Sequence, residues 1–155
     1  MEYIMRNKKR HYVDVGGKWA PVGRGFALFE EKKKPERVTR QYFHESGSRT
    51  RIVGYTPEIK YELDAIARDE ASLAIRGITD RELSGDAAIV RVLSVDMTAE
   101  SVGGAYPAIC RSYCVTADGC GGEDVLSYKG TLVCASPAVH GAFVVQSGVF
   151  VREVD

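Results

Sequence analysis

The chain has 155 residues and a mass of 17.0 kDa, one domain's worth of sequence over 1–155. Its 45% hydrophobic and 27% charged content, with 16 Gly and 5 Pro, excludes global disorder, collagen and low-complexity classes. The formal net charge is zero, but residues 1–60 carry 14 Lys/Arg against 7 Asp/Glu and residues 61–155 carry 7 against 14. That balance does not suit a uniformly basic nucleic-acid binder. It suits either a self-complementary protein or two sequence halves that interleave in space.

Residues 1–11 are polar and basic, with Tyr3, Ile4 and Met5 as apolar islands, and read as an arm. They lack the apolar region of a signal peptide, and no run approaches the ~18 apolar residues of a membrane span. The expectation is synthesis in a cytoplasm and no membrane. His11 to Val15 alternates as a short strand, and Gly16 to Pro21 reads as a turn or loop that contains Trp19. Phe26 to Phe29 is a further strand. The segment 30–50 predicts a long charged loop, because Pro35 is incompatible with a central strand and Ser46-Gly47-Ser48 marks a turn. Within it, Val38 to Phe43 has some strand character.

Arg49 to Tyr55 alternates charged and apolar residues. From Glu58 to Ile66 the alternation is clear: Ile59, Tyr61, Leu63 and Ala65 face one way, Glu58, Lys60, Glu62 and Asp64 the other. That is a strand with one wet face. Asp69 is a good N-cap, and Ala71, Ala74, Ile75 and Ile78 follow one helical stripe with Leu73 off it, so a helix is expected over about 69–83. Residues 88–97, 107–117 and 124–135 read as strands, with a loop over 98–105. Residues 139–145 and 149–154 form a last hairpin. Seven to nine short strands and one helix predict a mainly β fold, a sandwich or barrel of two packed antiparallel sheets with one flanking α-helix.

No motif in this chain carries catalysis. His11, His44 and His140 lie in separate segments without a relay partner at a suggestive spacing. Gly23-Arg24-Gly25 lacks the Lys-Ser/Thr of a phosphate loop. Glu62 and Asp64 share a strand face with Glu58 and Lys60, which describes a solvated surface better than an acid/base pair. Asp118 to Gly122 has too few acidic residues for a calcium loop. Trp19 is either a partner anchor or a tucked aromatic. Cys110, Cys114, Cys120 and Cys134 are spaced C-x3-C-x5-C-x13-C, without paired C-x2-C knuckles. Cys110 and Cys114 would stand ~13 Å apart on one strand, too far to share a metal or a disulfide. Reduced thiols and no cofactor are expected.

Several stretches in order carry a resemblance. They are GRGFALFEEKKKPE (23–36), VGYTPEIKYELD (53–64), DEASLAIRGITDREL (69–83), VRVLSVDM (90–97), YPAICRSYCV (106–115) and LSYKGTLVCASPAVHGAFVV (126–145). In this order they resemble the tail tube (major tail) proteins of phages and tail-like particles of Gram-positive bacteria. The resemblance implies a non-enzymatic virion protein, made in the bacterial host cytoplasm and residing in the virion tail. It implies homo-hexameric rings whose inner strands join into one barrel and which stack as a hollow tube. Its partners would be further copies, the tape-measure and tail-end proteins, a sheath if the tail is contractile, and DNA only in transit. Within that frame, Lys32, Lys33, Lys34, Arg37, Arg40, Tyr42 and Phe43 are the expected inter-ring contacts. Glu58, Lys60, Glu62 and Asp64 are the expected lumen-facing residues, because an acidic or neutral wall would not hold phosphates.

Two other readings compete. Tyr12, Trp19, Phe26, Tyr42 and Phe43 lie among basic residues and would suit a small β-barrel module for single-stranded nucleic acid. A hydrolase would use Cys110 or Cys114 with a histidine.

Overall fold

A computed structural model of the chain describes residues 1–44, 46–98 and 103–153. Glu45, residues 99–102 of the expected loop and Val154 of the last expected strand lie outside the described residues. In chain order the elements are β1 (Lys9–Val15), β2 (Lys18–Pro21), β3 (Phe26–Lys32), β4 (Pro35–Arg40), β5 (Arg49–Tyr55), β6 (Glu58–Asp64) and α1 (Glu70–Asp80). There follow β7 (Ile89–Asp96), β8 (Ala105–Gly121), β9 (Ser127–Cys134), β10 (Val139–Val144) and β11 (Val149–Arg152). The protein is mainly β.

Among the described residues, nine strands make a single antiparallel sheet ordered β2-β1-β7-β8-β9-β6-β3, with β10 and β11 branching from β8. The two expected layers are therefore parts of one curled sheet rather than two separate sheets. The branch arises because β8 is 17 residues long. One edge of it pairs with β7 over Cys114 to Ala108. Its other edge pairs first with β10 (Ala105 to Cys110) and then with β9 (Tyr113 to Gly121).

The strand shared by two curls needs two apolar faces. On one face Val13, Val92, Tyr113 and Val115 meet Ile59, Tyr61, Leu63 and Leu132 in the main core. On the other, Tyr12, Leu93, Val95, Cys110 and Phe143 form a second core. The Tyr12 and Phe143 rings lie 4.8 Å apart although β7 and β8 separate their strands, so the sheet wraps around this cluster as well. Burial on both faces accounts for the dense β-branched run over 89–96.

Helix α1 packs on β1, β2 and β8 and closes the main core with Ala71, Ile75 and Ile78. Leu73 points to solvent, as its position off the stripe predicts. Asp69 stands at the N-cap position, but its side chain makes no cap bond. The expected turn at 16–21 is partly a strand, because Lys18–Pro21 pairs with Val15–Tyr12; Pro21 is tolerated at the strand's end on the sheet's outer edge. The N-terminal arm is shorter than expected, since Lys9 already pairs with Asp96.

The largest departure is the segment 30–50. It is not a loop. Glu30, Glu31 and Lys32 continue β3 opposite Lys60, Ile59 and Glu58. Lys34 then adopts φ +44° and turns the chain out of the main sheet. Pro35–Arg40 and Arg49–Tyr55 form a separate two-stranded hairpin whose neck is closed by Thr56 N–H donating to the Lys34 carbonyl at 3.1 Å. Pro35 fits because it opens a strand of a sheet that has no third member.

Candidate functional site

The hairpin β4–β5 projects from the body, and nearly all of its residues are exposed. Its register follows from a bulge after Glu36, which sets Arg37 opposite Ile52, Val38 opposite Arg51, Thr39 opposite Thr50 and Arg40 opposite Arg49. The two threonine hydroxyls share a hydrogen bond of 3.1 Å. Exposed Val38, Ile52, Val53 and Tyr55 alternate with arginines along it, and Phe43 at the tip is fully exposed. Tyr42 stacks on His44 with ring centroids 6.1 Å apart. Isolated two-stranded hairpins are marginally stable in water. One with exposed apolar and cationic side chains presents a surface for a partner.

The outer face of β3-β6-β9 is a different kind of surface. Directly opposite residues there carry opposite charges: Glu30 with Lys60, Lys32 with Glu58, and Glu62 with Lys129. Such pairs favour the register by roughly 0.2–1 kcal/mol each. Lys34 Nζ adds an ion pair to Glu58 at 2.6 Å, and Ser127 Oγ donates to Asp64 at 2.7 Å. Asp64, like Lys60, is exposed, while Ile59, Tyr61 and Leu63 point into the core. The structure thus brings Glu58, Lys60, Glu62 and Asp64 onto one charge-balanced polar face. It separates them from Arg37, Arg40, Tyr42 and Phe43, which lie on the hairpin. Lys32, Lys33 and Lys34 stand at the neck between the two groups.

This face is flanked by two open edges. Among the described residues β3 pairs with β6 alone, and β8 beyond Cys114 pairs with β9 alone. Unpaired strand edges invite pairing with another chain.

The remaining chemistry-bearing groups form local contacts. His11 Nδ1 lies 3.1 Å from Ser94 Oγ, and the ring lies on Phe29 with centroids 4.9 Å apart. Burial lowers the His11 pKa, nearby Glu31 opposes that shift, and Lys33 and Lys9 reinforce it. Ser94, two histidines (His11 and His140) and two carboxylates (Glu31 and Asp96) line one groove of about 460 Å³. Glu31, however, bonds Lys33 at 3.0 Å and Asp96 accepts from Thr98, so neither carboxylate is hydrogen-bonded to the His11 imidazole as a serine–histidine–carboxylate relay requires. Trp19 is fixed by the Arg91 guanidinium 5.2 Å from its ring, and Arg91 in turn bonds Asp14 at 3.1 Å.

All four cysteines are free thiols: Cys110 is buried, Cys114 and Cys134 are half-buried, and Cys120 is exposed. Among the described residues no three His, Cys, Asp or Glu side chains converge on a metal-sized site. No helix among them is long and apolar enough to cross a membrane.

The chain matches no family model and no curated protein.

The sequence marks Asp118 to Gly122 as a turn; in the structure β8 runs on to Gly121, so the turn between β8 and β9 lies beyond it. There Glu123, Asp124, Val125 and Leu126 are exposed beside Asp118 and Gly119 to Gly122. Glu123 to Leu126 are contiguous, with Asp118 five positions earlier, and no periodic signal marks them. The pairing of β8 with β9 adds Ser127 and Lys129, which line a hollow with Asp118 and Cys120.

Proposed function

We propose that this protein is a structural tail-tube subunit. Copies join side by side into hexameric rings, and the rings stack into a hollow conduit for DNA ejection. The observation that carries the reading is the charge-balanced face of β3-β6-β9 with an open strand edge on either side. Pairing the β3 edge of one copy with the 115–121 edge of the next removes both edges. The contact is head-to-tail, the type that generates closed rings. Glu58, Lys60, Glu62 and Asp64 then line the lumen, which neither holds nor strongly repels phosphates. The projecting hairpin, with Arg37, Arg40, Tyr42 and Phe43, and the lysines at its neck supply the contact between rings. The resemblance in element order supports the tail assignment, with tape-measure and tail-end proteins as partners, a sheath in a contractile tail, and the virion tail as location.

Sedimentation across a wide concentration range, with negative-stain microscopy, tests this. Rings or tubes that grow with concentration are expected, weakening as salt rises because exposed ion pairs are screened. A monomer at every concentration and salt overturns it. The exposed Tyr42 and Phe43 among arginines favour a second reading, a stacking platform for single-stranded nucleic acid. Tight oligonucleotide binding by monodisperse monomers would select that one.

A further inference from the structure

The hairpin and the turn between β8 and β9 lie at opposite ends of the same sheet. Strand β6 starts at Glu58, two residues beyond the hairpin neck. It ends at Asp64, opposite Ser127 on β9, which is itself opposite Gly121. Seven extended residues separate these ends by roughly 20 Å. At the hairpin end, Arg37, Arg40 and Arg51 are exposed and make no ion pair among the described residues. At the far end, Asp118, Glu123 and Asp124 are likewise exposed and make no ion pair among them.

Each charged group is interleaved with exposed apolar side chains. Tyr42 and Phe43 crown the hairpin, and Val125 and Leu126 stand on the turn. The turn also frames a hollow of about 470 Å³ lined by Asp118, Cys120, Ser127 and Lys129. The hollow is open because Gly119 and Gly121 have no side chains, and a Cβ on either would meet nothing within 4 Å. Gly122 holds the turn in shape. It has φ +132°, and a Cβ there would lie 2.1 Å from the Val125 carbonyl oxygen.

We infer that the hairpin of one copy docks on the turn between β8 and β9 of a second copy. Tyr42 and Phe43 cover Val125, Leu126 and the glycine-floored hollow. Arg37, Arg40 and Arg51 face Asp118, Glu123 and Asp124. The occupant is a second copy because the two surfaces are complementary in charge, both carry exposed apolar groups, and they stand at opposite ends of one chain. A hairpin arm of six paired residues and its tip reaches roughly 20–25 Å, enough to cross a gap between stacked copies. This rests on the stacked assembly proposed above and names its receptor surface.

The exposed Cys120 in the hollow supplies the test. Phe43→Cys is treated with a short bis-maleimide, which joins two thiols without an oxidant. The expected result is a ladder of dimers, trimers and longer species on a denaturing gel, and its loss in Phe43→Cys/Cys120→Ser. Arg40→Glu and Asp124→Arg, each added to Phe43→Cys, should each shorten the ladder at least tenfold in yield. Mixing those two charge variants should restore dimers. Absence of a ladder, or a ladder that persists without Cys120, overturns the inference. Rings and tubes without a Cys120-dependent ladder remove this docking and leave the tube. A Cys120-dependent ladder from protein that never forms rings or tubes leaves the docking and removes the tube.

Discussion

Tyr61 and Tyr128 belong to one core and differ in what meets their hydroxyls. The Tyr128 hydroxyl donates to Asp80 at 2.7 Å, and that bond to a carboxylate raises its pKa. The Tyr61 hydroxyl is buried and faces Thr79 without a well-formed hydrogen bond among the described residues; burial raises its pKa, and the Thr79 hydroxyl opposes that shift. Removing a bonded hydroxyl costs about 1 kcal/mol, whereas removing an unsatisfied one costs nothing or stabilises. Urea unfolding should therefore show Tyr128→Phe weakened by about 1 kcal/mol and Tyr61→Phe at or above the parent. Equal losses would show that the Tyr61 hydroxyl is bonded. His11 gives a pH dependence. Its pKa is lowered by burial from the ordinary 6.5, so the unfolded chain takes up the proton first. The His11 contribution is complete above pH 6.5 and is lost as pH falls below it toward the folded-state pKa. Between about pH 7.5 and 5.5 the urea midpoint should fall, and less so in His11→Gln, where the titrating group is gone. An identical fall in both proteins would assign the loss to carboxylates.

At the scale of elements, the hairpin β4–β5 has its own register and leaves the body through a closed neck. Excising 35–55 and joining Lys34 to Thr56 through a Gly-Ser link should leave a folded body with an unchanged urea midpoint and remove the projecting surface. A body that unfolds would show that the hairpin supports the core. How far such elements were legible in the sequence depended on their surroundings. Strand β6 has one wet and one dry face, so Ile59, Tyr61 and Leu63 alternate visibly with charges. Helix α1 shows its stripe at Ala71, Ile75 and Ile78 for the same reason. The hairpin has no dry face, so the alternation over Arg49–Tyr55 is not one of burial, and β4 shows none. Pro35 and the charge run therefore read as loop, although Pro35 only has to open an unpaired edge. Strand β2 was hidden by the punctuation of Gly16, Gly17 and Pro21. Of the candidate surfaces, the charged residues of β6 and the hairpin were legible as clusters. The turn between β8 and β9 was marked only through Asp118 to Gly122; the hollow that Asp118 and Cys120 share with Ser127 and Lys129 forms only when the two strands pair.

At the scale of the whole molecule, part of the charge asymmetry of the sequence survives in space although the β3-β6-β9 face is balanced. The basic hairpin leaves from the end of the main sheet at Lys32 to Lys34, and Asp118, Glu123 and Asp124 gather at the end near Asp64 and Ser127. The main sheet has polarity along its strands, and its two open edges give it a second direction across them. A subunit with one self-complementary axis makes a ring or a filament, and one with two makes a stack of rings. The two cores keep this geometry rigid, since β1, β7 and β8 are held from both sides.

The branching of β8 also sets an isotope clock. From Ala108 to Cys110 its backbone is bonded to β7 on one side and β10 on the other, so those amide protons should exchange with deuterated solvent among the slowest in the chain. From Val115 to Gly121 one side is bonded to β9 and the other is open, so slow and fast amides should alternate on either side of the bulge at Asp118. Mass spectrometry with electron-transfer fragmentation, or amide NMR of the monomer, resolves such an alternation. In assembled protein the fast members of the 115–121 set should slow at least tenfold while the already slow ones stay as they were. Uniform protection that does not change on assembly would place the lateral contact at another edge.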